Sequence, residues 1–447
     1  MPGGWSDYNW TMHNRSMLKD VYGSTLIDMP LCKVYQRPLV VSEYNHPFPS
    51  IYQAEAPGML YAYGGFFDLD GILWHAYYDY HNHFDQRWQD LFFDIAMNPI
   101  VMSQFILSVP YRNGRIQTPQ KMILANYQTQ DIFDRTKVFQ SSSLLNFPGY
   151  QKSSYFLVDG FAHGQFNAAV TELSGFVTDF GNVITSSTGE LHWDGSNGQF
   201  TINNRYWQGA IGFLRNATLD LESIQITQIK TTDREDFAAI HLVSMDERPL
   251  NRSRRMVLVT TARLENHGQQ WNAERTSLIN HGGGYALCEP IYGKFSFKGA
   301  DPDSFRVFVL DETGARASEH DVTFVDNTAT FELGQKTLWY EIVNSGSGPA
   351  GVMTPAARHS DFRVYQNYPN PFNATTIIKF ESNFTGNAGL RLFDCNGRLV
   401  LEQTLTVEKN KLYQQALNLS AFASGIYFYE LALPAGKRTI RKMILMK

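Results

Sequence analysis

VVSEYNHPFPS (Val40–Ser50) and DGILWHAYYDYHNHFD (Asp70–Asp85) decide how the first quarter of the chain is read. The first follows PLVV (Pro38–Val41), a short apolar run of the kind found in strands covered on both faces of a parallel sheet. GILW (Gly71–Trp74) repeats the pattern. Between them Ala54–Phe67 has helical spacing. Ahead of them Asn14–Tyr35 carries Met17, Leu18, Val21, Leu26 and Met29 in partly helical spacing, broken at Gly23. Asn98–Tyr111 opens on Asn-Pro, a helix-start signal. Residues 1–113 therefore predict helix, strand, helix, strand, helix, which is two repeats of a βα unit. The first strand delivers a carboxylate, Glu43, just past its end, and the second delivers Trp74 at the same level.

After Asn113 the pattern changes. Strand-like runs such as Phe237–Met245, Met256–Leu264, Phe305–Leu310 and Leu338–Val343 are separated by Asp-Gly, Asn-Gly and Gly-Gly turns. This spacing predicts a β-sandwich region over 114–343. Asn344–Asp361, rich in Gly, Pro and small residues, reads as an exposed linker, and 362–447 as a last small β-module. The expected fold class is multidomain and mainly β, in keeping with a chain of 447 residues, too long for one ordinary core. With 43% hydrophobic and 18% charged residues, the chain has the material for packed cores and too little charge for disorder. The 14% of aromatic residues suits strands; a sugar-handling surface is the alternative, and composition favours the strands. A formal net charge of −5 without a basic block argues against nucleic acid as a partner. Cys32, Cys288 and Cys395 lie far apart and form neither a metal-ligand spacing nor a disulfide framework. No apolar run reaches the ~18 residues of a membrane span.

The C-terminal module holds the most specific motifs. YQNYPNPFNATTIIKFES (Tyr365–Ser382) is followed by LRLFDCNGRLV (Leu390–Val400), ASGIYFYEL (Ala423–Leu431) and RKMILMK (Arg441–Lys447). Pro369 and Pro371 keep the opening extended and off a sheet interior. Ile377 and Lys379 begin an alternating, half-buried strand, Asn396-Gly397 supplies a hairpin turn, and Tyr427 and Tyr429 share one strand face. This module resembles the sorting domain of the type IX secretion system of Bacteroidetes-like bacteria. The resemblance implies export to the cell surface or the medium, with the secretion machinery as a partner of residues 362–447, and it implies no chemistry. The opening MPGGWSDYNW has neither a charged n-region nor an apolar stretch, so it does not read as a signal peptide.

In parallel α/β barrels catalysis sits at the C-terminal ends of the strands, where Glu43 falls. A Glu ending one strand and a Trp ending the next resemble the seventh and eighth strands of the (β/α)8 retaining glycoside hydrolases. The resemblance implies that Glu43 is a nucleophile and that Trp74 floors a sugar subsite. SSTGELHWDGSNGQFTINNRYWQGAIGF (Ser186–Phe213) and SMDERPLNRSRRMVLVTTARLENHGQQW (Ser244–Trp271) resemble the accessory sandwich of one exported branch of these enzymes. A retaining enzyme needs a second carboxylate ~5–5.5 Å away to protonate the leaving oxygen. In this clan that acid ends the fourth strand, and a barrel takes ~250 residues. Only residues 1–113 precede the β-region, so strands one to six have no counterpart here. The expectation is the C-terminal part of a longer enzyme, inactive as given and acting by ancestry on polysaccharide.

Each residue also has a plainer reading. Glu43 could be a strand-end surface carboxylate, and Trp74 simple core. Asn45 and His46 could steer substrate hydroxyls or only shape the turn before Pro47. Trp5, Tyr8 and Trp10 could line the cleft. His75, His81, His83 and Asp85 read as a hydrogen-bonding rim rather than a metal site, and no motif asks for a cofactor. Trp193, Tyr206, Trp207 and Trp271 could form a carbohydrate platform or be sandwich core. The competing function is a secreted carbohydrate-binding or structural accessory module without catalysis.

Overall fold

A computed structural model describes residues 12, 14–21, 24–35, 37–77, 87–133, 156–166, 181–233, 235–344, 362–364, 367–382, 385–394, 398–409, 411–432 and 438–447. The chain is mainly β, with several sheets and few helices, and divides into two units, Met1–Gly348 and Pro349–Lys447. The segment read as a linker lies outside the described residues, apart from Asn344, which ends a strand.

In the first unit, β1 (Val40–Tyr44) is followed by α1 (Glu55–Phe66) and β2 (Gly71–Trp74). β1 and β2 pair in parallel, Val40 with Gly71, Val41 with Ile72 and Tyr44 with Trp74, with an irregularity between Val41 and Tyr44. Asp70 fixes the start of the pair: its backbone N–H donates to Leu39 O and its carboxylate accepts from Leu39 N, both at 2.9 Å. Almost every residue of α1 is buried, so it shows no amphipathic stripe; a helix apolar all round is one covered on all sides. After β2 comes α2 (Pro99–Ser103), where Asn98 caps the helix by accepting from Val101 N (3.1 Å) and Pro99 takes the first helical position.

Residues read from sequence as sandwich hold a second parallel pair instead, β3 (Ile123–Tyr127) with β4 (Phe161–Phe166), and Val34 bridges to His163 beside it. The antiparallel strands begin at Val183. They form a nine-stranded sheet whose centre runs Trp339–Asn344, Arg255–Thr261, Phe237–Ser244, Trp207–Phe213. A five-stranded sheet centred on Tyr292–Lys298 covers one of its faces, enclosing Ile240, Leu242, Leu258, Phe295 and Phe297. Its other face packs on α1 through Trp193, Trp207, Ile211, Ala239 and Val243. Phe237–Ser244 is therefore buried along its whole length. Trp193 and Trp207 are fully buried core, and Trp193 Nε1 donates to Leu18 O (2.8 Å), so neither serves a carbohydrate platform.

The second unit is a small sandwich. A three-stranded sheet (Phe362–Val364, Thr375–Ser382, Lys411–Asn418) faces a four-stranded one (Leu399–Val407, Gly386–Asp394, Gly425–Ala432, Arg438–Leu445) across one core. Thr375–Ser382 alternates as expected, with Ile378 and Phe380 inward and Ile377 and Lys379 outward, and Tyr427 and Tyr429 are both buried. The Asn396-Gly397 turn lies outside the described residues.

One face of the β1–β2 pair is uncovered: Val40 is 49% and Leu73 58% exposed. Parallel pairs of this kind are normally covered on both faces, so this one is held from a single side. The amides of Leu39–Val41 and Ile72–Leu73 are expected to exchange hydrogen well before those of Val257–Val259 and Tyr427–Tyr429; equal protection by exchange mass spectrometry would show that the pair is self-sufficient. A second expectation concerns the seam under α1. A Cβ at Gly58 would lie 2.6 Å from Ile211 Cδ1 and 2.8 Å from His241 Nε2. Gly58→Ala should cost about 1–3 kcal/mol in the unfolding transition of the first unit and leave that of the second unmoved; an unchanged transition would mean that the helix can shift without loss.

Candidate functional site

The ends of β1 and β2 bring Glu43 and Trp74 to the same rim. Glu43 is exposed and takes part in no hydrogen bond or ion pair among the described residues. Trp74 is partly buried. Its Nε1 donates to Tyr61 OH (3.0 Å), and its ring packs edge-on to Tyr44 (6.0 Å between centroids) and against Phe105 (5.4 Å). The indole thus braces the strand ends against α1 and keeps only part of its surface for a ligand.

The neighbouring rim residues are tied to the segment 87–95. Asn45 Nδ2 donates to Phe93 O (2.8 Å), while Asn45 Oδ1 is buried with no hydrogen-bond partner among the described residues. His75 N donates to Tyr44 O (3.1 Å) and its ring lies against Phe93. Ala76 N and Ile95 N complete the tie, donating to Phe93 O and Ala76 O, each at 3.0 Å. Trp5, Tyr8, Trp10, His81, His83 and Asp85 lie outside the described residues. Among the described residues no group of three or more His, Cys, Asp or Glu side chains could hold a metal ion.

Beneath the rim lies a buried polar cluster that the sequence did not reveal. Glu55, in the first turn of α1, is 1% exposed. Its carboxyl accepts from Ser16 Oγ (2.5 Å) and Met17 N (3.0 Å), and its Oε1 stands 3.6 Å from His46 Nδ1. His46 Nε2 meets Tyr44 OH at 3.3 Å, and the His46 carbonyl accepts from Gln53 Nε2 (2.9 Å). Burial pushes Glu55 up to about 8, the hydrogen bonds from Ser16, Met17 and Leu18 opposing it only in part. Burial also pushes His46 down to about 4. Both shifts act against charge, so at neutral pH this is a neutral contact rather than an ion pair. His46 is thus turned inward, under the strand end, and not toward a sugar. No sequence motif singles out Glu55; its partner Ser16 lies 39 residues away, which no local pattern announces.

In the second unit the sorting motif explains itself physically. Asn367, 1% exposed, donates from Nδ2 to Thr376 Oγ1 (2.9 Å) and Pro369 O (3.1 Å). Asn370 Oδ1 accepts from Ile444 N (2.8 Å), Phe372 N donates to Ile444 O (3.0 Å), and Met446 N donates to Phe372 O (2.8 Å). The opening of the module therefore clamps its last strand. Asp394 accepts from both the backbone N (2.9 Å) and Nε (3.0 Å) of Arg398 across the turn.

Residues 366–446 match the secretion system C-terminal sorting domain family. The protein is therefore exported by the type IX route to the cell surface or extracellular space, and its tail engages that machinery. No described helix is long and apolar enough to cross a membrane. No curated protein matches the chain. Among solved structures it is similar to dimeric latent PorU from Porphyromonas gingivalis at 11% identity, with 56% of this chain and 31% of that one covered and a TM-score of 0.18. The corresponding values are 9%, 52%, 45% and 0.18 for a β-glucuronidase from Ruminococcus gnavus, and 14%, 51%, 49% and 0.17 for one from Bifidobacterium dentium. The chain spans less than half the length of each of these proteins. TM-scores this low carry no inference about fold or activity.

The Glu55–His46 pair sets a pH dependence. Glu55 is raised on folding from 4.5 to about 8, so the stability it contributes is fully present below pH 4.5 and is lost as pH rises through 8. His46 falls from 6.5 to about 4, so its contribution is present above pH 6.5 and is lost as pH falls through 4. Between pH 6.5 and 8 only Glu55 acts. Over that window the thermal midpoint of the first unit should fall in the wild type and flatten in Glu55→Gln. A decline of equal slope in the variant would place the responsible proton elsewhere.

Proposed function

We propose that residues 1–113 descend from the last two strands of a retaining (β/α)8 glycoside hydrolase acting on polysaccharide, with Glu43 in the nucleophile position and Trp74 at the sugar subsite. The observation that carries this reading is the parallel pairing of β1 and β2 across α1, with Glu43 and Trp74 at the same ends. Chemistry in parallel β/α architectures gathers at that end. A carboxylate left exposed and unpaired there is available to a ligand. Asn45 and His75 hold the rim that would face the sugar, and Trp10 would belong to the same rim. In this reading 114–343 braces the strands as an accessory β-region, 344–361 links it to the tail, and 362–447 is the sorting module.

Retaining hydrolysis asks for a second carboxylate ~5–5.5 Å from the nucleophile. Among the described residues of 1–113 the strands are β1 and β2, so the fourth strand that carries the acid in such enzymes has no counterpart there. A nucleophile alone has no route for protonating the leaving oxygen. We therefore assign these 447 residues, tested by themselves, a glycan-contacting role without turnover. The unpaired Glu43 also fits the second reading, a secreted binding or bracing module that never needed a catalytic pair.

Hydrolysis of a panel of aryl β-glycosides by the wild type and Glu43→Gln tests the assignment. Both should stay at the background rate. Turnover abolished by Glu43→Gln would show that this chain supplies its own acid, with Asp79→Asn and Asp85→Asn the first variants to examine. Turnover unaffected by Glu43→Gln would remove Glu43 from the chemistry.

A further inference from the structure

We infer that the excursion Leu264–Cys288 forms a carbohydrate-contacting wall beside the ends of β1 and β2, with the exposed ring pair His267 and Tyr285 as its sugar-stacking surface. This rests on the glycan reading above and extends it to a site outside the strand ends.

The excursion lies between Arg255–Thr261 of the nine-stranded sheet and Tyr292–Lys298 of the five-stranded one. Most connections of this kind take ~4–6 residues. This one is far longer and folds into two ribbons of its own, Leu264–Asn266 with Ala286–Cys288 and Gln270–Trp271 with Leu278–Asn280. Its base is fixed by charge. Arg263 reaches Asp233 (3.1 Å), Glu265 (3.0 Å) and Glu289 (3.5 Å), and Arg275 also bonds Asp233 (2.7 Å). The Asp233 and Glu289 side chains are almost fully buried, so this is an anchored base rather than a surface pair.

From that base the excursion grips the rim. Asn266 pairs with the backbone of Gln89 in both directions, accepting from its N (2.9 Å) and donating to its O (2.7 Å). Ala286 N donates to Arg87 O and Met12 N to Thr276 O, both at 2.7 Å. The His281 ring sits edge-on to Phe48 (5.6 Å) and Trp88 (5.7 Å). The gripped segment 87–95 is the one whose Phe93 carbonyl holds Asn45 and Ala76. One segment therefore separates the excursion from the strand ends.

On its outer side His267 and Tyr285 stack with centroids 4.6 Å apart and planes 26° from parallel. Tyr285, just before the strand Ala286–Cys288, is 47% exposed, and so is Leu287 two residues on. Gly268 and Gly284 beside the rings have no atom within 4 Å of the place a Cβ would take, so the space at these two positions is open. Rings that only brace this unit are turned inward, as Trp193 and Trp207 are at 0% exposure. A flat apolar plate edged by a hydroxyl and an imidazole matches the face of a pyranose, whose C–H groups stack while its hydroxyls find partners at the rim.

The test uses the full chain in affinity electrophoresis and pull-down with β-glucan, xylan, galactomannan, agarose and pectin. The wild type should be retarded by at least one of them. Tyr285→Ala should weaken that binding roughly tenfold, as loss of a stacking ring does. His267→Ala/Tyr285→Ala should weaken it further, and Tyr285→Phe should keep most of it, all with an unchanged melting profile. Retardation of the wild type and the double variant alike would overturn the wall and leave the strand-end glycan reading standing. No retardation of the wild type by any of the five would overturn both. If the wild type self-associates in sedimentation and the double variant does not, with glycan binding equal, the plate is a contact between copies and the wall is overturned.

Discussion

The contact between α1 and the nine-stranded sheet is the constraint on which the first unit depends. It is made by the removal of side chains. Gly58 presents bare backbone to Ile211 and His241, and Gly209, in the facing strand, leaves no room for a Cβ beside His241 Nδ1 (2.5 Å) or Ile240 O (2.4 Å). His241 fills the space between them, fully buried, accepting at Nδ1 from Trp207 Nε1 (3.2 Å). Burial lowers its affinity for a proton to about 3, so the seam stays neutral at any ordinary pH. Because α1 joins β1 to β2, the position of this helix on the sheet also sets where Glu43 and Trp74 stand. The parallel strands have no separate core; they share one with the sheet beneath them.

That dependence explains what was readable in advance. The runs PLVV and GILW announced β1 and β2 as short apolar stretches, although only one face of the pair is covered, and the Asn-Pro start of α2 is a local signal. The sorting module was legible for a similar reason. Its motif residues act within a few ångströms of one another: Asn367 on Pro369 and Thr376, Asp394 on Arg398. Glu55 was not legible, since burial sets its proton affinity and the groups that meet it, Ser16 and His46, come from other segments. ILANY and FAHGQF (β3 and β4) carry no alternation that separates a parallel from an antiparallel partner. The excursion 264–288 reads locally as turn residues; only the fold shows that it reaches the segment 87–95. Trp193 and Trp207 carry no local sign of the second layer that covers the face they occupy.

The two units differ in how completely their strands close. In the sorting unit the first motif and the last strand are bonded to each other, through Asn370 to Ile444 and Phe372 to Met446, so the module closes on itself. Tyr368, 81% exposed, is left outward in an otherwise tightly bonded opening. The module has its own core, separate from those of the first unit.

The β1–β2 pair is the opposite case, and its openness and its candidate chemistry have one origin. Val41 and Ile72 pack on the shared core, Trp74 does so with part of its ring, and Val40, Leu73 and Glu43 are exposed. Covering the exposed residues would stabilise the pair, since parallel strands gain most when both faces are buried. It would also bury Glu43, and a lone carboxylate taken from water either finds a partner or gives up its charge. Glu55 shows the outcome in the same unit: enclosed, it holds its proton up to about pH 8. Glu43 can remain available at the strand end only while its side of the sheet stays solvated or meets a ligand rich in hydroxyls. A sugar chain lying along the rim would cover Val40 and Leu73 in part and still hydrogen-bond the carboxylate. Were residues 1–113 to contact a glycan as proposed, its binding and the stability of β1 and β2 would rise together.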